Sequence, residues 1–359
     1  MQQPWNGKIS NHTQLGGIET SVLDNGPGRG TRIAWINTGT GLRYKVVIDR
    51  AMDIAEAFFN QHSLTWLSHS GITRAEPFSN RGLDWLRTFG GGLLTTCGLD
   101  HVGGPEKDEF GERGLHGWIS NTPAELESVK QPDFSKGSLE FSITGKVRET
   151  KVFGPSFELK RTVAGSIGTA AIRIRDEVTN NANTPAPHML LYHLNFGWPL
   201  VDEGTELLWQ GNWQSPGKKS PTKIFREGNN FRKCPSPLPE HSGPGEEVAF
   251  VDIAQDKSGQ CTAGLYNPAM GIAVAIRFQK KELPWFTNWQ HWGNGEYVTG
   301  MEPGTHPPIG QAAARARKEL IFLQPGETKE YNIEIEVLNQ EPAIRQLLQK
   351  TSHLVNNAL

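Results

Sequence analysis

The chain of 359 residues is poor in cysteine. Cys97, Cys234 and Cys261 are the only three, and no two stand at a Cys-x-x-Cys spacing. An odd count without that spacing argues against a disulfide scaffold and a zinc knuckle. Long apolar runs are lacking too: no stretch approaches the roughly 18 apolar residues a membrane helix needs. The opening Met-Gln-Gln-Pro-Trp-Asn-Gly has no basic segment leading into an apolar one, as a secretory leader would. A cytoplasmic setting without a membrane partner is the expectation. Charge of one sign is also missing, since 36 Lys and Arg stand against 38 Asp and Glu. That balance excludes the broad basic footprint of a nucleic-acid-binding protein. Several chemical signatures are absent as well. There is no G-x-G-x-x-G after a strand, no G-x-x-x-x-G-K-[ST], no H-E-x-x-H and no G-x-S-x-G. Hydride, phosphoryl and serine-hydrolase chemistry therefore lack support.

What is abundant is glycine, proline and tryptophan: 40 Gly, 23 Pro, and 11 Trp against 5 Tyr. The first two favour many turns over long helices. Alternation of apolar and polar residues marks half-buried strands. It runs through Leu139, Phe141 and Ile143, then Phe157, Leu159 and Val163, then Ile172, Ile174 and Val178. These three read as consecutive antiparallel strands of a meander. Ile272, Val274 and Ile276 mark another strand, and Tyr331, Ile333, Ile335 and Val337 one more. The turn Pro-Gly-Glu-Thr at 325–328 parts the last from Glu-Leu-Ile-Phe-Leu. Ile344, Leu347, Leu348 and Leu354 recur at helical spacing and predict a C-terminal helix over 341–354. A short helix is expected within 80–87. The Pro-, Gly-, Lys- and Ser-rich region 204–247 predicts long irregular connections lying over a site. No linker or repeat interrupts the chain, so residues 1–359 are expected to form a single β-domain with a small helical tail.

Four glycine-rich segments concentrate polar, aromatic and ionisable residues. They hold Asp100 and His101; His116, Trp118 and Asn121; His193, Asn195 and Asp202; and the stretch from Trp285 to His306. His193 follows an apolar run and so is delivered by a strand to a partly buried place, either as a core histidine or as an acid–base group. Glu302 precedes Pro303, which holds it extended, among glycines that permit tight turns. It suits either a base or a carboxylate capping a turn. Trp285, Phe286, Trp289 and Trp292 interleave with Asn288 and Gln290, either as a packed edge or as a groove for a sugar. Aromatic faces stack on sugar C–H surfaces while amides bond hydroxyls.

Taken in order, Leu115–His116–Gly117, the long stretch from Phe157 to Gly197 and Gly300-Met-Glu-Pro-Gly304 resemble the galactose mutarotase-like superfamily, the aldose 1-epimerases. The resemblance spans much of the chain. It implies a large antiparallel β-sandwich with a sugar cleft. It also implies roles: His193 protonates the ring oxygen, Glu302 takes the proton from the anomeric hydroxyl, and His116 orients the sugar near that oxygen. No cofactor or metal is implied. His101, Asn195, Asp202, Trp289, Gln290, Trp292 and His306 are the expected substrate contacts, and a small sugar is the expected partner. The family's substrate-binding arginine has no clean counterpart among Arg50, Arg74, Arg81 and Arg87, and Asp202 is only a stand-in for its aspartate. Two other readings stand beside this one. His101, His116, His193, His306 and Glu302 supply donors for a metal-dependent sugar isomerase or lyase. The Trp-rich segment alone would suit a non-catalytic carbohydrate-binding protein. Exposed strand edges leave a homodimer open.

Overall fold

The structure is a computed structural model and describes residues 5, 7–77, 80–216, 224–226 and 228–353. The meander forms as the alternation predicts. Strands Glu140–Thr150, Ser156–Ser166 and Ala171–Asn180 pair antiparallel, with Ile143 opposite Val163 and Val163 opposite Ile174. Thr328–Leu338 joins the free edge of this meander, followed by Ile272–Gln279, Gln260–Asn267 and Glu206–Leu208. Ala124–Lys130 closes the other side, giving an eight-stranded sheet.

A second eight-stranded sheet runs Gly211–Gln214, Glu247–Ile253, Trp285–Gly293, Glu296–Gly304, Ala186–His193, Ile321–Leu323. Thr95–Leu99 also pairs with Ala186–His193, and Asn195–Gly197 with Glu296–Gly304. A third, five-stranded sheet uses residues 17–63. All three contribute to one apolar core, in which Tyr44, Ile54, Phe157, Leu190, Phe286 and Ile335 are almost fully buried. The 325–328 turn does more than reverse the chain. The strand before it belongs to the second sheet and the strand after it to the first.

Helices are few. Glu341–His353 sets Ile344 and Leu347 on Leu208, Ala273 and Ala275. Leu354, expected as its last apolar residue, lies outside the described residues. The helix expected within 80–87 is one turn, Trp85–Thr88. Gln311–Ala316 was not foreseen. Region 204–247 keeps two short strands and one 3₁₀ turn, Pro239–His241, and between them is irregular where described. Among the described residues no helix is long and apolar enough to cross a membrane.

Three charged residues of the meander, Glu149, Arg161 and Asp176, stand at inward, buried positions. Arg161 stands on the inward face of its strand and is fully buried. Its guanidinium donates to both carboxylate oxygens of Asp176, at 2.9 and 2.6 Å, and to Asp53 Oδ1 at 2.9 Å. Asp176 also accepts the Tyr192 hydroxyl at 2.7 Å, and Asp53 accepts the Thr96 N–H at 3.0 Å. This cluster ties the three sheets together: Arg161 and Asp176 from the first, Asp53 from the third, Tyr192 and Thr96 from the second. Thr96 pairs with Tyr192 and Thr95 with His193. The ion cluster thus ties Tyr192, the residue before His193, to the other two sheets.

Candidate functional site

His193 and Glu302 meet because their strands are neighbours. Leu191 pairs with Gly304 and, past a break, Asn195 pairs with Gly300. Residues 193 and 302 therefore stand opposite each other, where facing side chains come within contact. His193 Nε2 lies 3.3 Å from Glu302 Oε1. The Glu302 side chain folds back over Gly300, where a Cβ would come within 2.1 Å of Oε1.

Both line a cavity of about 730 Å³. Strand alternation decides which of its neighbours join them. Thr287, Trp289 and His291 share the face of Glu302, and Val248 and Phe250 continue it on the next strand. Trp289 donates its indole N–H to Glu246 Oε2 at 2.6 Å. Glu246, Gly243 and Pro244, from the end of the irregular region, line part of the cavity wall. Trp85 and Phe89 stack with ring centres 4.2 Å apart, and Phe89 and Trp289 stand edge-on to the His193 ring at 5.2 and 5.4 Å.

His116 enters from a loop between Gly103, which accepts its N–H, and Gly98, whose N–H its carbonyl accepts. Its φ is +57°, a left-handed conformation that costs a non-glycine residue of order 1 kcal/mol. Its ring lies 4.9 Å from Trp85 and 6.1 Å from His193.

This apolar wrapping governs protonation. Burial pushes the Glu302 carboxyl well above the usual carboxylate range, and the Glu246 charge adds to that. Burial lowers His193 to about 4, against an opposing contribution from Asn195. His116 falls well below its ordinary value, through burial first and then through His193 and His101. The shifts of His193 and Glu302 both favour the uncharged form, so burial disfavours an ionised Glu302 carboxylate beside a charged His193 imidazolium.

His116, His193, Glu302 and Trp289 line the cavity; the other expected contacts do not. Gln290 and Trp292 occupy the opposite face of the Trp289 strand, toward the core. Gln290 donates to Phe231 O and Asn288 Oδ1 and accepts the Trp292 indole N–H, and Trp292 is fully buried. Asn195 is also buried, its amide donating to Gly92 O and His193 O. His101 bonds Gly104 O through Nε2. His306 is tied to Thr305 Oγ1 and Glu319 O. Asp202 lines a neighbouring hollow instead. Arg50 is a buried strut donating to Ser120 O, Thr73 and Thr88 O, while Arg74 and Arg87 line a separate groove. No Lys or Arg lines the cavity among the described residues. Among those residues, too, no three His, Cys, Asp or Glu side chains converge as metal ligands would.

Sequence reading missed Trp66, Trp85, Phe89, Glu246 and Glu296, all on the cavity wall. Only the aromatic pair four residues apart in Asp84-Trp-Leu-Arg-Thr-Phe89 offers a signal, at helical spacing beside the short helix.

The fold matches solved structures of galactose mutarotase-like proteins. A Klebsiella pneumoniae protein provisionally assigned as an aldose 1-epimerase superposes with a TM-score of 0.83 at 23% identity, covering 98% of this chain and 92% of that one. A galactose mutarotase-like protein of Clostridium acetobutylicum gives 0.64 at 14% identity, covering 91% and 100%. No curated protein matches the chain in sequence. The family model described as a domain of unknown function, DUF4432, matches residues 28–337, and the chain belongs to that family.

Proposed function

We propose that the chain is a sugar isomerase of the aldose 1-epimerase type, which interconverts the anomers of an aldose by opening and reclosing its ring. The observation that carries this reading is the 3.3 Å contact of His193 with Glu302 on the floor of an aromatic-walled cavity. Ring opening removes a proton from the anomeric hydroxyl and delivers one to the ring oxygen. Both oxygens sit on the anomeric carbon, so an acid and a base in mutual contact can serve both. The reacting form is the less favoured one, with the pair's proton on His193 and Glu302 ionised. As the ring opens, Glu302 takes the hydroxyl proton, the C1–O5 bond breaks to leave an aldehyde, and His193 hands its proton to O5. Rotation about C1–C2 and the reverse transfers give the other anomer. The pair begins and ends with one proton in total, and no redox partner is needed.

The chain's other groups fit these needs. Trp85, Phe89 and Trp289 offer ring faces to sugar C–H surfaces and exclude water. Glu246 and Glu296 can accept hydroxyls at the rim. His116, held neutral by burial, suits a hydrogen bond near the ring oxygen rather than a charge.

The test is NMR exchange spectroscopy on a panel of aldoses with wild-type protein and Glu302→Gln. Accelerated exchange with one sugar, lost in the variant, is expected. Exchange that persists in the variant would remove Glu302 from its role. Sugar binding without exchange in the wild type would leave a binding protein on the same fold.

A further inference from the structure

The cavity has a neighbour. A second hollow of about 430 Å³ is walled by Thr65, Trp66, Leu67, Trp198, Asp202 and Tyr297. The two hollows share Trp66. They also adjoin along the chain, since Leu67 borders the hollow and Ser68 the cavity, and Gly295 the hollow and Glu296 the cavity. Trp66 is thus the partition between them, and it is held firmly. A Cβ at Gly197 would come 2.8 Å from Trp66 Cα, and one at Gly91 would come 2.6 Å from Trp66 O. Two glycines therefore clasp its backbone. Its ring stands edge-on to Trp289, the centroids 6.3 Å apart.

The same strands build both sides. Tyr297 lies in the strand that carries Glu302, and Trp198 directly follows Asn195–Gly197. Trp198 is 68% exposed and Leu67 44% exposed. A large indole left in water beside a concave, aromatic-rich wall marks a binding surface rather than a packing residue. Asp202 adds an exposed carboxylate to that wall.

We infer that this hollow is a second saccharide subsite and that the substrate has at least two sugar units. This rests on reading the main cavity as a sugar site. The reducing unit holds its anomeric carbon at His193 and Glu302. The next unit passes over Trp66, lays a C–H face on Trp198 and donates a hydroxyl to Asp202. The occupant is an oligosaccharide rather than a protein because the hollow adjoins the cavity with a single indole, Trp66, between them.

The test is calorimetric titration of wild type, Trp198→Ala and Asp202→Asn with glucose and galactose, and with maltose, cellobiose and lactose. Trp198 is largely in solvent, so its truncation leaves the fold intact, which an unchanged melting temperature verifies. At least one disaccharide is expected to bind about tenfold more tightly than its reducing-end monosaccharide, the size of one good aromatic contact. Trp198→Ala removes that gain and leaves the monosaccharide unaffected. No gain in the wild type, or a gain that survives both variants, overturns the subsite. So does a wild-type dimer in sedimentation that Trp198→Ala dissociates, because Trp198 then belongs to a protein interface. The two readings fail differently. A wrong isomerase assignment appears as bound sugar whose anomers do not exchange, with the disaccharide comparison intact. A wrong subsite appears as normal exchange without benefit from a second unit.

Discussion

Trp289 and Gln290 are neighbours in the chain and serve opposite sides of one strand. Trp289 bonds Glu246 at the cavity rim, 2.6 Å away, while Gln290 bonds Phe231 O beneath, 2.8 Å away. Their substitutions should therefore separate cleanly. Trp289→Ala should weaken sugar binding about tenfold with little change in stability. Gln290→Ala strips partners from buried Asn288, Trp292 and Phe231 and should cost about 1–3 kcal/mol of stability. Urea unfolding and sugar titration of both variants measure this. A Trp289 variant that loses stability and keeps its affinity would contradict it.

On the proposed function, loss of either His193 or Glu302 should slow anomer exchange by about 10²–10⁴-fold. Glu302→Gln and His193→Gln are the variants, and near-ultraviolet circular dichroism should show unchanged packing. The double variant should be no slower than the worse single one, because the two groups act as a unit. Additive losses would mean that they act separately.

The pH dependence follows from the proton shared by the pair. Below the lowered value of His193, about 4, both members are protonated and the base is lost. Above the raised value of Glu302, both are deprotonated and the acid is lost. Rate against pH should be a bell, with its acid limb near pH 4 and its alkaline limb far above the ordinary carboxylate range. In Glu302→Gln the residual rate should lose the alkaline limb. An alkaline limb unchanged in that variant would assign it to another group.

Arg161 neutralises two buried carboxylates, so its removal should be severe. Arg161→Met leaves Asp53 and Asp176 unpaired in the core and should cost about 3–5 kcal/mol. Denaturant titration is the measurement, and a loss under 1 kcal/mol would mean that water reaches the cluster.

Glu149 tests the same physics outside the site. It is almost fully buried, and its Oε2 accepts the Leu99 N–H at 3.2 Å. Burial first, and then the nearby Asp100 charge, raise its carboxyl well above the ordinary value of 4.5. A folded-state value above the unfolded one means stability that is fully present below about pH 4.5 and lost as pH rises through the raised value. Glu149→Gln should therefore lose less stability than wild type between pH 5 and pH 8, read from urea midpoints. Equal losses would show that Glu149 titrates normally.

The strands were legible because alternation with period two is written residue by residue, as in 139–178 and 331–337. His116, His193 and Glu302 could be named because each sits in a short motif. The aromatic walls could not. Trp66, Trp85 and Phe89 come from segments far from the pair in sequence, and only packing brings them there. Arg161 was hidden for another reason: a lone cation among alternating residues reads as solvent-facing until two carboxylates on other strands are found to meet it.

The sequence by itself therefore determined the β architecture, the C-terminal helix and the identity of the acid–base candidates. These depend on local pattern and on side-chain chemistry. Tertiary structure decided that residues 193 and 302 stand opposite each other, that Trp289 rather than Trp292 faces the cavity, and that Asp202 belongs to the hollow beyond Trp66. Each of those is a matter of strand register or of which face turns inward. A shift of one residue reverses every side chain on a strand, and only pairing with distant strands fixes it.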